Sequence, residues 1–452
     1  MQAPVNEPVC VDSNVRRSQD DTVDTGSSWY ILSLLTAAYS LSFIDRQLLN
    51  LLVDPVKRSL LMSDVQISFL QGAAFVIAYC AAAPVLGRLV DVGNRRNILL
   101  VCVAIWSVGT ALCGFATNFW ELAAARAVVG MSEACIFPVA WSLIPDLFSP
   151  RKGARAYSIF TMGTNLGSAF SLLFGGAVLA LAGVLSSSVP ILSGLQPWQL
   201  AFVVIGLPGL LFCGLLLTIR EPKRRSSAVG TADSFTLRQS LSLIGQRWRF
   251  YVPLYSGNAA LAIANLTVAA WFPTSLARTY GTPIAQVGLY FGVALLIAST
   301  SGLLLGPVVA RWVEDRGHRD APLRVAAFAT IGMAVASIAL PLSPTLLGAL
   351  IAGGMLIFFI AFVTPLLGYS CQQVTPGQIR GLVSSLYTFS AQVPGYGIGP
   401  LLIAALTEKV FRNTLMVGHS LQIVCSVASV LCGLFFMLTW KSFRELRTLY
   451  DV

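Results

Sequence analysis

Charge is what this chain has least of: Asp, Glu, Lys and Arg make up 11% of its 452 residues, against 56% for apolar types. A soluble domain keeps about 25% charged residues, so most of this surface does not face water. Histidine is nearly absent, with two residues, and the nine cysteines are scattered, mostly in apolar stretches such as those holding Cys80, Cys135 and Cys425. No CxxC or Cys/His spacing occurs, which leaves neither a zinc site nor a disulfide framework to expect. No loop gathers a His/Asp or Ser/His set, so a membrane enzyme is not indicated. A GxxxxGK[ST] phosphate loop is also missing, which excludes a primary ATP-driven pump. None of these patterns asks for a cofactor or a metal. Residues 1–28 lack the apolar core and cleavage site of a signal peptide. With Asp20, Asp21 and Asp24 they read as a disordered cytoplasmic tail.

What the chain has in place of charge is a series of apolar runs of about 20 residues or more, each long enough to cross a bilayer as a helix. Hydrocarbon offers backbone N–H and C=O groups no outside partner, so only helices and closed barrels span it. Barrel strands would show alternating segments of about 10 residues, and none appear. The chain reads as an all-α integral membrane protein. Its spans fall at 29–53, 66–90, 97–116, 119–147, 156–184, 198–219, 250–274, 285–310, 323–342, 345–370, 381–407 and 415–440. Ser63-Asp-Val-Gln66 forms a capping box that predicts a helix start just before the second of them.

The net charge of +10 suggests a nucleic-acid partner until its placement is considered. With the N-terminus inside, only Lys57, Arg58, Arg278, Lys409 and Arg412 fall outside, and most other basic residues flank the inner ends of spans. This is the positive-inside pattern, and it puts both termini in the cytoplasm. The basic balance is therefore a topology signal, and no nucleic acid is expected. Short outer loops without glycosylation sequons point to a bacterial inner membrane.

Two six-helix bundles follow, at 29–219 and 250–440, with a cytoplasmic linker at 220–249 and a tail at 441–452. The linker's amphipathic run from Phe235 to Ile244, around Leu237 and Leu241, reads either as a membrane-surface helix or as an ordinary linker helix. The bundles align on their loops. Gly87-Arg-Leu-Val-Asp91-Val-Gly-Asn94-Arg95-Arg96 matches Ala310-Arg-Trp-Val-Glu314-Asp-Arg-Gly317-His-Arg319. Further on, Pro138 pairs with Pro365, Pro150 with Pro376 and Arg155 with Arg380, at nearly the same offset. A duplicated unit of this kind places a cavity at the interface of the halves, near the midplane.

The Gly87–Arg96 motif resembles the loop between the second and third spans of the major facilitator superfamily. That resemblance covers nearly the whole chain and implies twelve helices in two pseudo-symmetric halves. The acid Asp91 suits a cytoplasmic gate, accepting from a neighbouring helix N-terminus and pairing with basic residues across the halves. Gly87, Arg95, Arg96, Glu314 and Arg319 complete the two copies of that gate. The chain departs from the usual pattern at Val92 and Asn94, the latter expected to fill a left-handed turn normally given to Gly.

Four charged residues lie inside spans: Asp45 and Arg46 in the first, Arg126 and Glu133 in the fourth. Each costs a few kcal/mol in hydrocarbon, so such groups face a cavity and a partner. Arg126 and Glu133 are two helical turns apart, on one face. The charges sum to zero and are expected to form one network. Phe43-Ile-Asp45-Arg46 together with Arg126-Ala-Val-Val-Gly-Met-Ser-Glu133 resembles the spinster branch of the superfamily, whose members move lysophospholipids or sphingosine-1-phosphate, some with protons. The resemblance implies Asp45 and Glu133 as proton acceptors and Arg46 and Arg126 as partners of an anionic headgroup. Burial favours a carboxylate's neutral form and a neighbouring arginine its charged form. A phosphate that competes for arginine thus links proton binding to cargo binding.

Thr161, Asn165, Asn265 and Gln392 are candidate cavity-lining residues, as is Asn258, and each serves equally as interhelical glue. Leu266, Trp271, Phe272, Phe291, Phe358, Phe359 and Phe389 are expected to line a channel for a hydrocarbon tail. The sequence thus predicts a transporter of an anionic amphipathic lipid by alternating access, proton-coupled, bathed in membrane lipid and functional as a monomer. A proton-coupled exporter of drugs or small organic anions is the alternative.

Overall fold

Apolar runs with no outside hydrogen-bond partner have folded as helix wherever the computed structural model describes the chain, at residues 25–188, 194–222, 237–376 and 379–448. The tail at 1–24, the segment 223–236 with Lys223, Arg224, Arg225 and Phe235, and residues 449–452 lie outside the described residues. So does any reading of those segments as disordered or surface-bound. Among the described residues twelve helices are long and apolar enough to cross a membrane. They are Gly26–Leu51, Asp64–Val92, Arg95–Cys113, Phe119–Leu147, Arg155–Ser188, Pro197–Leu216, Trp248–Tyr280, Ile284–Glu314, Ala321–Leu342, Leu346–Gln373, Leu382–Val410 and Thr414–Thr448. Every expected span overlaps one of them. The seventh runs further than expected, past Pro273 to a left-handed cap at Gly281, whose φ of 63° costs glycine nothing.

The capping box at Ser63 is present, with Gln66 N donating to Ser63 Oγ at 3.1 Å and Ser63 N to Gln66 Oε1 at 2.9 Å. Asn94 departs from expectation. Its φ of −78° is ordinary, and its side chain caps the third span by accepting from Asn97 N. A short polar side chain at a helix start is more useful as an N-cap than as a left-handed turn. In the second copy of the loop Gly317 does take the left-handed conformation, at φ 89°.

Prolines place the breaks. Pro138 has no N–H to offer Ala134 O, so the fourth span is two helices, Phe119–Glu133 and Ile136–Leu147. Its repeat partner Pro365 sits inside an unbroken helix. The eleventh span is likewise divided at Ile398, between Arg380–Gly397 and Gly399–Ala405. Pro400 there cannot donate to Tyr396 O.

An even number of spans brings both chain ends to one side. The described hydrogen bonds and ion pairs that cross between the halves gather away from that side. At the far end Arg278 holds Asp54 and Asp64, and Val65 N donates to Glu408. Somewhat deeper, Ser68 Oγ donates to Pro400 O at 3.1 Å, an acceptor it shares with Trp271 Nε1 of the second half itself, and Gln71 Nε2 donates to Ala270 O at 3.2 Å. The fifth and eighth spans meet there backbone to backbone: a Cβ added at Gly176 would lie 2.5 Å from Ala285 Cα, and one at Gly288 2.7 Å from Leu172 O. Burial follows the same division. Leu48, Leu51 and Leu172 of the first half share one apolar cluster with Ala264, Val268 and Val287 of the second. Near the termini the first half keeps a separate cluster around Leu35, Tyr39, Trp106 and Phe160.

Candidate functional site

Consecutive residues on a helix project about 100° apart, and Asp45 and Arg46 use that angle to face different neighbours. Arg46 reaches the fourth span, where its Nε and Nη2 donate to Glu133 Oε2 at 2.7 and 2.5 Å. Asp45 faces the third span and accepts from Thr110 Oγ1 at 2.9 Å. All four intramembrane charges are buried. They do not form the single network expected of them. Arg126 makes no ion pair among the described residues, and Arg46 alone takes Glu133, through Oε2. Its Nε donates to Leu70 O at 3.4 Å and its guanidinium stands 5.5 Å from the Phe75 ring. Leu70 lies in a π-helical turn, Phe69–Ala73, of the second span, a distortion that recurs at functional sites.

Four rings enclose Arg46. Phe75 and Phe43 lie 4.3 and 4.6 Å from its guanidinium carbon, and Tyr79 and Tyr396 each 5.9 Å. Cation–π attraction of about 0.5–2 kcal/mol per ring, largest where water is excluded, offsets part of the cost of burying the cation. Tyr396 comes from the second half, so the cage closes across the seam. The approach depends on Gly72, where an added Cβ would stand 1.8 Å from Tyr396 O. Glu133 ends its helix at the Pro138 break, and its Oε1 is buried with no hydrogen-bond partner.

The lower-ranked candidates make no described bond to this centre. Thr161 is exposed and its Oγ1 donates to Tyr157 O and Ser158 O of its own helix, both at 3.0 Å. Asn265 is exposed, Asn165 and Gln392 are half-buried, and no described hydrogen bond joins them to the four charges. Asn258 is glue, donating to Tyr387 O at 2.8 Å and Ser390 Oγ at 3.0 Å. The expected tail channel is not supported by Trp271, Phe272 and Phe291, which are sealed in the second half's core. Packing claimed them: Phe272 meets Phe291 edge-on and fills the space left by Gly353. Phe359 packs on Gly332, while Phe389 remains exposed.

The described bonds of Arg95, Arg96 and Glu314 hold to their own halves. Arg95 is buried and ties the third span to Asp146 at 2.5 Å, Glu221 at 3.0 Å and Pro222 O at 2.8 Å. Arg96 donates to Ile219 O at 3.3 Å. Glu314 pairs with Arg447, which also donates to Arg319 O at 2.5 Å. Asp91 is exposed, and a Cβ at Gly87 would meet nothing within 4 Å. Several functional candidates had no sequence signal strong enough to raise them: Tyr79, Tyr396, Thr110 and the Arg278 cluster. A tyrosine or threonine in a span is ordinary, and so is a charge at a span's end.

Twelve spans in two repeated halves, with a buried ion pair at their seam, define a polytopic membrane transporter and not an enzyme. The sequence matches the Major Facilitator Superfamily over residues 35–400, and the chain belongs to that superfamily. It is similar to an MFS-type efflux pump of Mycolicibacterium smegmatis, 22% identical over 92% of this chain and 94% of that protein. It is also similar to the Sphingosine-1-phosphate transporter SPNS2 of Mus musculus, 26% identical over 90% of this chain and 76% of that protein. Among solved structures it shares its fold with a bacterial homolog of the human lysosomal transporter Spinster, in an inward-facing and occupied conformation. The TM-score is 0.72 at 23% identity, covering 95% of this chain and 97% of that one.

Proposed function

We propose that the chain is a spinster-like, proton-coupled transporter of an anionic amphipathic lipid, a lysolipid or a relative of sphingosine-1-phosphate, working by alternating access. The observation that carries this is the caged Arg46–Glu133 pair with its unpartnered Glu133 Oε1. A phosphate that takes two N–H groups of Arg46 strips Glu133 of its cation. An uncompensated buried carboxylate is costly, so it takes a proton. Arg126, with no carboxylate of its own, is the second cation for the headgroup, and Asp45 the second proton acceptor. Both termini face the cytoplasm by the placement of the basic residues, so the joined far end is the outer one. The arrangement is then the inward-facing one, with Asp91, Arg95, Arg96, Glu314 and Arg319 meeting across the halves when the cycle turns. The protein works as a monomer in a bacterial inner membrane.

The test is uptake by proteoliposomes under an imposed pH gradient. Lysolipid flux should follow the gradient in wild type and lose that dependence in Glu133→Gln and in Asp45→Asn. Wild-type pH dependence in both variants would make the two acids structural. A drug or small organic anion as cargo is the second reading, favoured by the efflux-pump relative and by the sealing of Trp271, Phe272 and Phe291. Chain length decides between them. Each CH₂ buried is worth roughly 0.8 kcal/mol, so a lipid carrier's affinity climbs along a series of one headgroup below micelle formation. A flat series promotes the second reading.

A further inference from the structure

The far end of the molecule holds a second charged centre with a cavity beside it. Arg278, near the end of the seventh span, donates from Nε and Nη2 to Asp54 Oδ1 at 3.0 and 2.7 Å. Its Nη1 and Nη2 reach Asp64 Oδ2 and Oδ1 at 3.1 and 3.0 Å. Both acids belong to the first half, and Arg278 pairs with no acid of its own half among the described residues. Asp64 is placed differently, since Lys57 of its own half also donates to it, at 2.7 Å. Separation of the halves would leave Asp64 paired with Lys57, and Arg278 with no acid but only Thr414 O, at 3.5 Å, and the Trp271 ring, 5.5 Å from its guanidinium carbon. In the closed far end these two acids alone, among the described residues, balance the charge of the largely buried Arg278, so an anion that takes their place keeps that balance as the halves part.

The adjoining cavity has room for one. It measures about 1070 Å³ and is lined by Lys57, Arg58 and Arg278, by the acid Asp54 that now pairs with Arg278, and by Leu61, Met62 and Leu415 among its apolar residues. That exceeds the size of a drug-sized ligand site, roughly 300–1,000 Å³. Cations beside apolar wall match an alkyl phosphate or alkyl carboxylate, whose two oxygens fit the guanidinium fork that Asp54 and Asp64 now occupy. We infer that this cavity is a second binding site, for an amphipathic anion, whose occupant displaces Asp54 and Asp64 from Arg278 and so unlocks the far end. The inference rests on the proposed function in taking an anion as cargo. It adds a separate site that couples arrival of that cargo to opening.

A cysteine at Ala270 reports on opening. Ala270 is buried beneath the Arg278 cluster, and its carbonyl is bonded across the seam to Gln71. Full-length Ala270→Cys protein in right-side-out proteoliposomes is labelled with an impermeant maleimide, the parent protein giving the background of the native cysteines. Dodecyl phosphate below its micellar concentration should speed labelling roughly tenfold, the effect of one contact of about 1.4 kcal/mol. An uncharged dodecyl glycoside should leave the rate unchanged. Inorganic phosphate should act only at much higher concentration, and a full effect from it alone would overturn the amphipathic assignment. Asp54→Asn should raise the rate without ligand and shift the response to lower dodecyl phosphate. Arg278→Gln should raise the rate and abolish the response, whereas Arg278→Lys, which keeps the charge if the neutral variant fails to fold, should retain part of it. Wild-type labelling indifferent to dodecyl phosphate, while Asp54→Asn alone speeds it, would leave a latch and no site. Transport of anionic lipid without any labelling response would sink this inference only. A response in a protein that carries no anionic lipid would instead sink the cargo assignment.

Discussion

Truncating Arg46 to alanine leaves Glu133 buried with neither oxygen partnered, and removal of one member of a buried pair costs about 3–5 kcal/mol. Arg46→Ala should therefore lower thermal stability in detergent sharply, and Arg46→Ala with Glu133→Gln should recover a substantial part of the loss. A strictly additive loss would mean that the two side chains do not depend on each other. The same physics explains what was legible at this scale. A charge inside an apolar run is rare because it is costly, so Asp45, Arg46, Arg126 and Glu133 stood out from sequence alone. Their partners did not. Which of two acids takes Arg46 depends on a helix rotation of a few tens of degrees, and the aromatic cage is built from residue types common in any span. Arg278 was legible only as an outer basic residue, since its partners Asp54 and Asp64 lie in the opposite half.

Helices were the easiest elements to read, because length and apolarity alone require them, and the breaks within them were the hardest. Proline is a poor guide by itself: Pro138 divides its span directly after Glu133, whereas Pro365 leaves its helix continuous. Two prolines at matching places in the repeat thus have different outcomes, which a single sequence does not display. Glycine repays closer reading where two elements touch. Gly72 lets the second span lie against Tyr396, so Gly72→Ala should force the two spans apart and draw Tyr396 away from Arg46. Overpacking of this kind costs about 1–3 kcal/mol, measurable as a fall in melting temperature together with slowed transport. Wild-type values for both would show that the seam has slack. The repeated loops share a plan that their sequences half conceal. Each docks on the last span of its own half, but Arg95 meets the acid Glu221 in the first while Glu314 meets the base Arg447 in the second. The bonds described for Arg95, Arg96 and Glu314 staple each half internally.

Orientation is a property of the whole chain, and it remains a reading of charge placement. Single cysteines in the Arg220–Gln246 linker should resist an impermeant label applied to intact cells, while one at the exposed Leu61 should react. A labelled linker would invert the molecule and exchange its inner and outer ends. The far-end closure has a further consequence, one of rates. In the proposed alternating-access cycle the Arg278 cluster, the Pro400 and Gln71 bonds and the glycine-lined contact of the fifth and eighth spans all part before the opposite mouth opens. An empty carrier has nothing bound to offset that loss, so its return is the slow step, as conformational steps often are in turnover. Cargo supplied on both sides of the membrane lets the loaded form make the return. Counterflow of labelled lipid against unlabelled lipid should then run several-fold faster than net uptake into empty vesicles, a ratio on the order of that given by 1 kcal/mol. Equal rates would place the slow step elsewhere.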